Sequence, residues 1–181
     1  MIVIALGANL DSKFGSPLQT LAAAKLAIEQ RGIKILKSSR TWLTAPVPVS
    51  DQPWYHNGVI AVHTLMQPGA LLTVLHEIEL DFGRIRHEKN APRVLDLDLI
   101  SYNDVSISNC DGDGGMTLPH PEMHKRAFVL LPLADIAQEW VHPVSGQSLV
   151  SLICALPDGQ SAKPVAESSL SGEAVHHEKA A

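Results

Sequence analysis

Apolar and polar positions along this chain follow two different periods, and the switches between them mark its elements. The chain opens on an unbroken apolar run from Ile2 to Gly7, the pattern of a strand buried on both faces. A polar turn follows, and Ser16-Pro17 supplies an N-cap and first helical position for a helix reaching to about Gly32. Residues 33 to 43 read as a second strand, Ala45 to Pro53 as a Pro-rich ordered loop, and 57 to 65 as a third strand. Pro68 opens a second helix: Leu71, Leu75, Ile78 and Phe82 recur at the helical period, and Gly83 stands where a C-terminal cap belongs. The period then falls to two, with Leu95, Leu97 and Leu99 on one face of a strand and Asp96 and Asp98 on the other. A turn at Asn103-Asp104, a short strand near 105 to 108, and helical stretches at 121 to 137 and 147 to 156 complete the body.

Strand, helix, strand, strand, helix, strand is the order of a ferredoxin-like β-α-β-β-α-β core, an α+β fold with a mainly antiparallel sheet, here with additional C-terminal helices. One domain over residues 1–157 is expected. From Asp158 to Ala181 the composition turns to Ser, Ala, Glu, Lys and Gly, which predicts a disordered tail in which His176 and His177 are solvated.

Asp96 and Asp98 carry the first chemical signal. Asp is depleted in strands, and two bare carboxylates roughly 7 Å apart repel by about 2 kcal/mol at an effective dielectric of ~20, a cost that a cation reverses. Paired hard oxygen ligands suit magnesium, which takes one or two carboxylates plus substrate phosphates. The same alternation also fits a merely solvated strand face. The preceding segment favours the metal: Arg84, Arg86, His87, Lys89 and Arg93 crowd together with a single acid, Glu88, as if phosphates were gripped by arginines on one side and metal on the other.

Whole-chain quantities narrow the partner. At 181 residues and 45% hydrophobic, the chain can bury one good core. A net charge of −5 and a pI near 5.9 argue against a nucleic-acid binder, since the basic residues are local. Cys110 and Cys154 form no metal-spaced set, the N-terminus carries no signal peptide and no membrane span is evident, so a cytoplasmic location is expected; the protein is separately expected to be a monomer. Neither a P-loop nor a Gly-x-Gly-x-x-Gly fingerprint is present, which leaves phosphate binding to arginines and metal. His120, His124, Lys125 and Arg126 gather in a further basic cluster just before Phe128. Trp54, Tyr55 and Asn57 suit a flat heterocycle with a hydrogen-bonding edge, or equally a core anchor.

Six separated motifs then coincide: Ala-Leu-Gly-Ala-Asn-Leu at 5–10, Ser-Arg-Thr at 39–41, Asp-Gln-Pro-Trp-Tyr-His-Asn at 51–57, Glu-x-x-x-Gly-Arg-x-Arg at 79–86, Pro-Arg-x-Leu-Asp-Leu-Asp at 92–98 and Pro-His-x-x-Met-x-x-Arg-x-Phe at 119–128. Over roughly residues 2 to 156 the chain resembles the 6-hydroxymethyl-7,8-dihydropterin pyrophosphokinases. The resemblance implies a folate-pathway enzyme that moves the β,γ-diphosphate of ATP to the hydroxymethyl group of a reduced pterin, releasing AMP. It implies that Asp96 and Asp98 bind two magnesium ions, and that Arg84 and Arg93 stabilise the transferring group. Glu79, Arg86, Met116, Thr117, His120 and Arg126 fall on nucleotide positions. Gly7, Thr44, Ala45, Val47, Tyr55, Asn57 and Phe128 fall on pterin positions, with Tyr55 and Phe128 sandwiching the ring. Where many members carry Arg-Trp-Gly ahead of Pro-Arg, this chain has Lys89-Asn90-Ala91, and Ala45 stands where Pro is common. Without the resemblance, another two-metal transferase or a catalytically silent nucleotide-binding module would fit the same residues.

Overall fold

In the computed structural model, which describes residues 1–48, 50–84, 92–108 and 115–166, one sheet is covered on both faces. Its strands are β1 (Ile2–Ala8), β2 (Lys34–Ser38), β3 (Trp42–Thr44), β4 (Tyr55–His63), β5 (Asp96–Tyr102) and β6 (Ala162–Pro164). The helices are α1 (Pro17–Gln30), α2 (Pro68–Asp81), α3 (Ala127–Ile136) and α4 (Leu149–Cys154), with a 3-10 turn at Met123–Lys125. The sheet order is β5-β1-β4-β3-β6, β2 pairs with β4 on its own stretch, and every pairing is antiparallel. This is the expected ferredoxin-like α+β arrangement, with β4 at the centre and β1 between it and edge strand β5.

β1 is apolar throughout because both of its faces enter a core. Ile2, Ile4, Leu6 and Ala8 pack with Leu21, Ala24 and Ile28 of α1 and Leu71, Leu75 and Ile78 of α2. Val3 and Ala5 pack with Val129, Leu130 and Leu133 of α3 and Leu149 and Leu152 of α4. Leu95, Leu97 and Leu99 join the α1/α2 layer, which turns Asp96 and Asp98 toward the α3 side. β5 carries one extra residue against β1, since Val3 faces Ser101 and Ile4 faces Leu99. The unmatched Ile100 reaches the α3/α4 core, and its carbonyl accepts the N–H of His120 at 2.8 Å. A bulge thus ties the basic segment 120–126 to the strand that holds the aspartates.

The structure corrects three expectations. The strand at 33–43 is two strands: at Ser39 the N–H still donates to the Val59 carbonyl at 2.9 Å, but the return bond from the Val59 N–H goes to the Ser39 hydroxyl at 2.9 Å, which itself donates to the Arg40 carbonyl at 2.7 Å, so the regular ladder is interrupted there. Residues 105–108 make only isolated bridges, Val105 to Tyr102 and Ile107 to Leu118. The domain boundary at 157/158 falls too early: β6 pairs with β3, and the Val165 N–H donates to the Thr41 carbonyl at 2.8 Å. Its residues are poor in large apolar groups because the strand is held at the sheet edge by backbone bonds, which no hydrophobic pattern announces. Arg86, Lys89-Asn90-Ala91, Cys110, His176 and His177 lie outside the described residues.

Candidate active site

The chemistry-bearing residues gather toward one end of the sheet face that α3 and α4 cover. Register places Asn57, Gly7 and Asp96 side by side across β4, β1 and β5, with Val59, Ala5 and Asp98 in the next row that shares their face. Gly7 is required by closeness: a Cβ there would lie 2.7 Å from Asn57 Oδ1. Asn57 is buried, and its Nδ2 donates to Thr44 Oγ1 at 2.7 Å.

Arg84 arrives by way of a helix end. Gly83 adopts φ +89° after α2, and the Arg84 N–H then bonds back to the Glu79 carbonyl at 3.0 Å, which sets the guanidinium over the Glu79 carboxylate. Glu79 is only 1% exposed. Its Oε1 accepts the Leu97 N–H at 2.7 Å and pairs with Arg84, whose Nη1 also lies 2.6 Å from Asp96 Oδ1. Arg93 pairs with Asp96 Oδ2. One carboxylate on α2 therefore holds the start of β5 and an arginine together, while two arginines neutralise Asp96.

Asp98 has a different environment. Burial, and then the neighbouring Asp96 charge, push its carboxyl up from 3.8 to about 6, against the pull of Arg126, Arg93 and Arg84. Two carboxylates on adjacent same-face positions, one of them resisting ionisation, fit a hard divalent cation. Among the described residues no group of three or more His, Cys, Asp or Glu side chains could hold a metal.

His120 Nδ1 accepts the Glu122 N–H at 3.2 Å, and burial together with Arg126 lowers its pKa, giving a neutral ring with Nε2 as donor. Arg126 is extended (φ −115°, ψ 108°) just before α3, and its guanidinium stands 5.5 Å from the centre of the Phe128 ring. Tyr55 lies on the Asn57 face of β4; its hydroxyl donates to Gln52 Oε1 at 3.0 Å, and burial raises its pKa. Ala45 follows β3 at the rim, and Val47 is exposed on the loop beyond. Met116 packs against the core that Leu95 and Leu97 enter, with Thr117 next to it, so they and Glu79 approach from the α2 layer while His120 and Arg126 approach from the α3 layer.

Two residues of this region were not singled out from the sequence. Asn9, 3% exposed at the end of β1, accepts the Arg93 N–H at 2.8 Å and donates to the Pro53 carbonyl at 3.1 Å, joining the arginine segment to the Pro-rich loop. Gln52 takes the Tyr55 hydroxyl. The signal for Asn9 was a polar residue closing an otherwise buried strand.

Residues 3–138 match the 7,8-dihydro-6-hydroxymethylpterin-pyrophosphokinase (HPPK) family. The chain belongs to that family. With membership comes ATP-dependent transfer of pyrophosphate to a hydroxymethyldihydropterin in folate synthesis, and the silent-module and other-transferase alternatives fall away. Curated HPPK relatives include the 2-amino-4-hydroxy-6-hydroxymethyldihydropteridine pyrophosphokinase of Synechocystis, 42% identical over 83% of this chain and 73% of its own. The Haemophilus influenzae pyrophosphokinase is 36% identical over 86% of this chain and 92% of its own. The folic acid synthesis protein of Pneumocystis carinii is 37% identical over 91% of this chain, which spans only 21% of that longer protein. Among solved structures, a triple mutant of Plasmodium falciparum HPPK-DHPS shares the fold with a TM-score of 0.68 at 16% identity, covering 85% of this chain and 42% of that one.

Proposed function

We propose that the sheet face over Asn57, Gly7 and Asp96 is where this HPPK brings its two substrates together. ATP lies along edge strand β5, its phosphates facing Asp96, Asp98, Arg84 and Arg93, with His120 and Arg126 on one side and Glu79, Met116 and Thr117 on the other; the family resemblance assigns Arg86 to the nucleotide as well. The pterin sits between Tyr55 and Phe128, its edge read by the Asn57 amide, within a wall made by Gly7, Thr44, Ala45 and Val47. The observation that carries this reading is that two arginines, Arg84 and Arg93, pair with Asp96 while Asp98 stands two residues further along the same strand face.

Bound at Asp96 and Asp98, two magnesium ions would supply charge neutralisation for the triphosphate. The chain's own residues do the rest. The pterin hydroxymethyl oxygen attacks the β-phosphorus, the bond from that phosphorus to the α,β-bridging oxygen breaks, the hydroxyl proton passes to solvent, and AMP leaves. Arg84 and Arg93, which neutralise Asp96 in the absence of ligand, are within reach of incoming phosphate oxygens and gain charge-assisted bonds to the transferring group. His120 Nε2 and Arg126 donate to the nucleotide. Asn57, fixed by Thr44, orients the acceptor so that attack is in line. We take the protein to act as a cytoplasmic monomer without nucleic-acid or membrane partners, in keeping with its acidic balance; among the described residues no helix is long and apolar enough to cross a membrane.

The test is to identify products. With ATP, magnesium and 6-hydroxymethyl-7,8-dihydropterin, AMP and pterin diphosphate should form one to one. Coupled release of ADP or free pyrophosphate would refute the assignment.

A further inference from the structure

Beyond Asp158 the chain returns to the active face, and it touches both walls of the acceptor pocket there. On one wall, Gln160 Nε2 donates to the Lys125 carbonyl at 2.8 Å while its Oε1 accepts the Ala127 N–H at 2.9 Å. A single side-chain amide thus spans Arg126, pinning the backbone before and after it. Ala127 opens α3, so its N–H has no partner within the helix, and Gln160 provides the missing acceptor from a distance of 33 residues in sequence. Phe128 is the next residue. On the other wall, Ser161 accepts the Ala45 N–H at 3.0 Å, Ala162 faces Thr44 across the β3–β6 ladder, and the Lys163 ammonium stands 5.8 Å from the centre of the Trp54 ring. Thr44 is the residue that holds Asn57.

We propose that residues 160–165 are a brace that sets the two walls of the acceptor pocket relative to each other, with Gln160 a positioning residue for Arg126 and Phe128. The proposal rests on the acceptor reading given above. The physical argument is one of connectivity: Phe128 stands on α3, while Thr44 and Asn57 stand on the sheet. At the open end of the pocket, the segment after Asp158 makes hydrogen bonds to both. Without Gln160, the first turn of α3 loses an acceptor for its leading N–H, and Arg126, whose extended backbone makes it a hinge between the 3-10 turn and α3, is released to sample other positions.

The test compares steady-state kinetics of full-length variants. Gln160→Leu keeps the side-chain bulk and removes both bonds. It should raise KM for the hydroxymethyldihydropterin about tenfold, equivalent to ~1.4 kcal/mol. Gln160→Glu keeps the acceptor for Ala127 and should recover part of that loss; it also serves should Gln160→Leu not fold. Ser148→Ala removes the cap of α4, whose Oγ accepts the Ser151 N–H at 3.2 Å, and costs stability in the same layer without touching the pocket. It should leave KM unchanged, which separates positioning from mere loss of stability. Tyr55→Ala reports on the acceptor reading itself. If Tyr55→Ala raises the pterin KM while Gln160→Leu stays within twofold of the parent, the brace is refuted and the acceptor site stands. If neither variant moves KM, the acceptor site is elsewhere and the brace falls with it.

Discussion

Asp98→Asn is predicted to make the metal-free protein more stable at neutral pH while removing its activity. Burial and the Asp96 charge raise the Asp98 carboxyl from 3.8 to about 6, so between those two values the native state holds a proton that the unfolded chain has lost. Folding stability therefore falls as pH rises through that window, the reverse of the behaviour of a salt-bridged aspartate. The difference corresponds to about 3 kcal/mol at pH 7.5 that the ionised carboxylate costs the native state, the attraction of Arg126, Arg93 and Arg84 already included. Asn is nearly isosteric and cannot ionise, so it recovers up to that amount at pH 7.5 and almost nothing at pH 4. For a domain of this size the full gain reads as roughly 6–12 °C in Tm. The assay is thermal unfolding of parent and variant in EDTA from pH 4 to 8, with turnover measured alongside. Turnover should fall at least about a hundredfold, on the order of 3 kcal/mol in barrier, because a positioned metal ligand is lost. Magnesium with ATP should stabilise the parent and not the variant. A variant less stable than the parent at pH 7.5, or a difference that does not change with pH, would show that Asp98 supports the fold and would refute the reasoning.

Other perturbations probe the supports of the same face. Glu79→Leu leaves the Leu97 N–H and Arg84 without their buried acceptor and should cost about 3 kcal/mol or more in urea unfolding, whereas Glu79→Gln, which keeps an oxygen for Leu97, should cost about half as much. Gly7→Ala puts a methyl group against Asn57 and should raise the pterin KM about tenfold, with a thermal shift of only a few degrees, as ~1–2 kcal/mol of local displacement implies. Arg93→Ala should lower kcat by about a hundredfold at saturating substrates, and the loss should exceed its effect on either KM, because the charge it meets develops in transfer. Asn9→Ala removes the acceptor that fixes the Arg93 backbone and should give a smaller kcat loss, about tenfold, with no new pH dependence.

Much of this was legible because strand and helix periods are written locally. Leu95, Leu97 and Leu99 determined which way Asp96 and Asp98 point, and Gly83 marked the end of the helix from which Arg84 departs. The Tyr55-x-Asn57 spacing likewise put both side chains on one strand face. What the pattern missed has a common physical cause: hydrogen bonds between segments far apart in the chain carry no periodicity. Ser39 splitting a strand through Val59, Asn9 holding Arg93, and Ile100 bulging to receive His120 are each satisfied by a partner that no local window contains.

The chain's own order of residues was therefore enough to determine the central elements, β1, α1, β4, α2 and β5, the face of each that is apolar, and the residue types able to grip a triphosphate and a flat ring. Tertiary structure decided which of those residues meet and which carboxylate bears the strain of burial. It placed Glu79 beneath Arg84 and Leu97, left Asp98 reluctant to ionise beside Asp96, and brought Gln160 back to the start of α3. Those outcomes depend on distances in space and on the local dielectric, and neither quantity exists until the two cores have closed on the sheet.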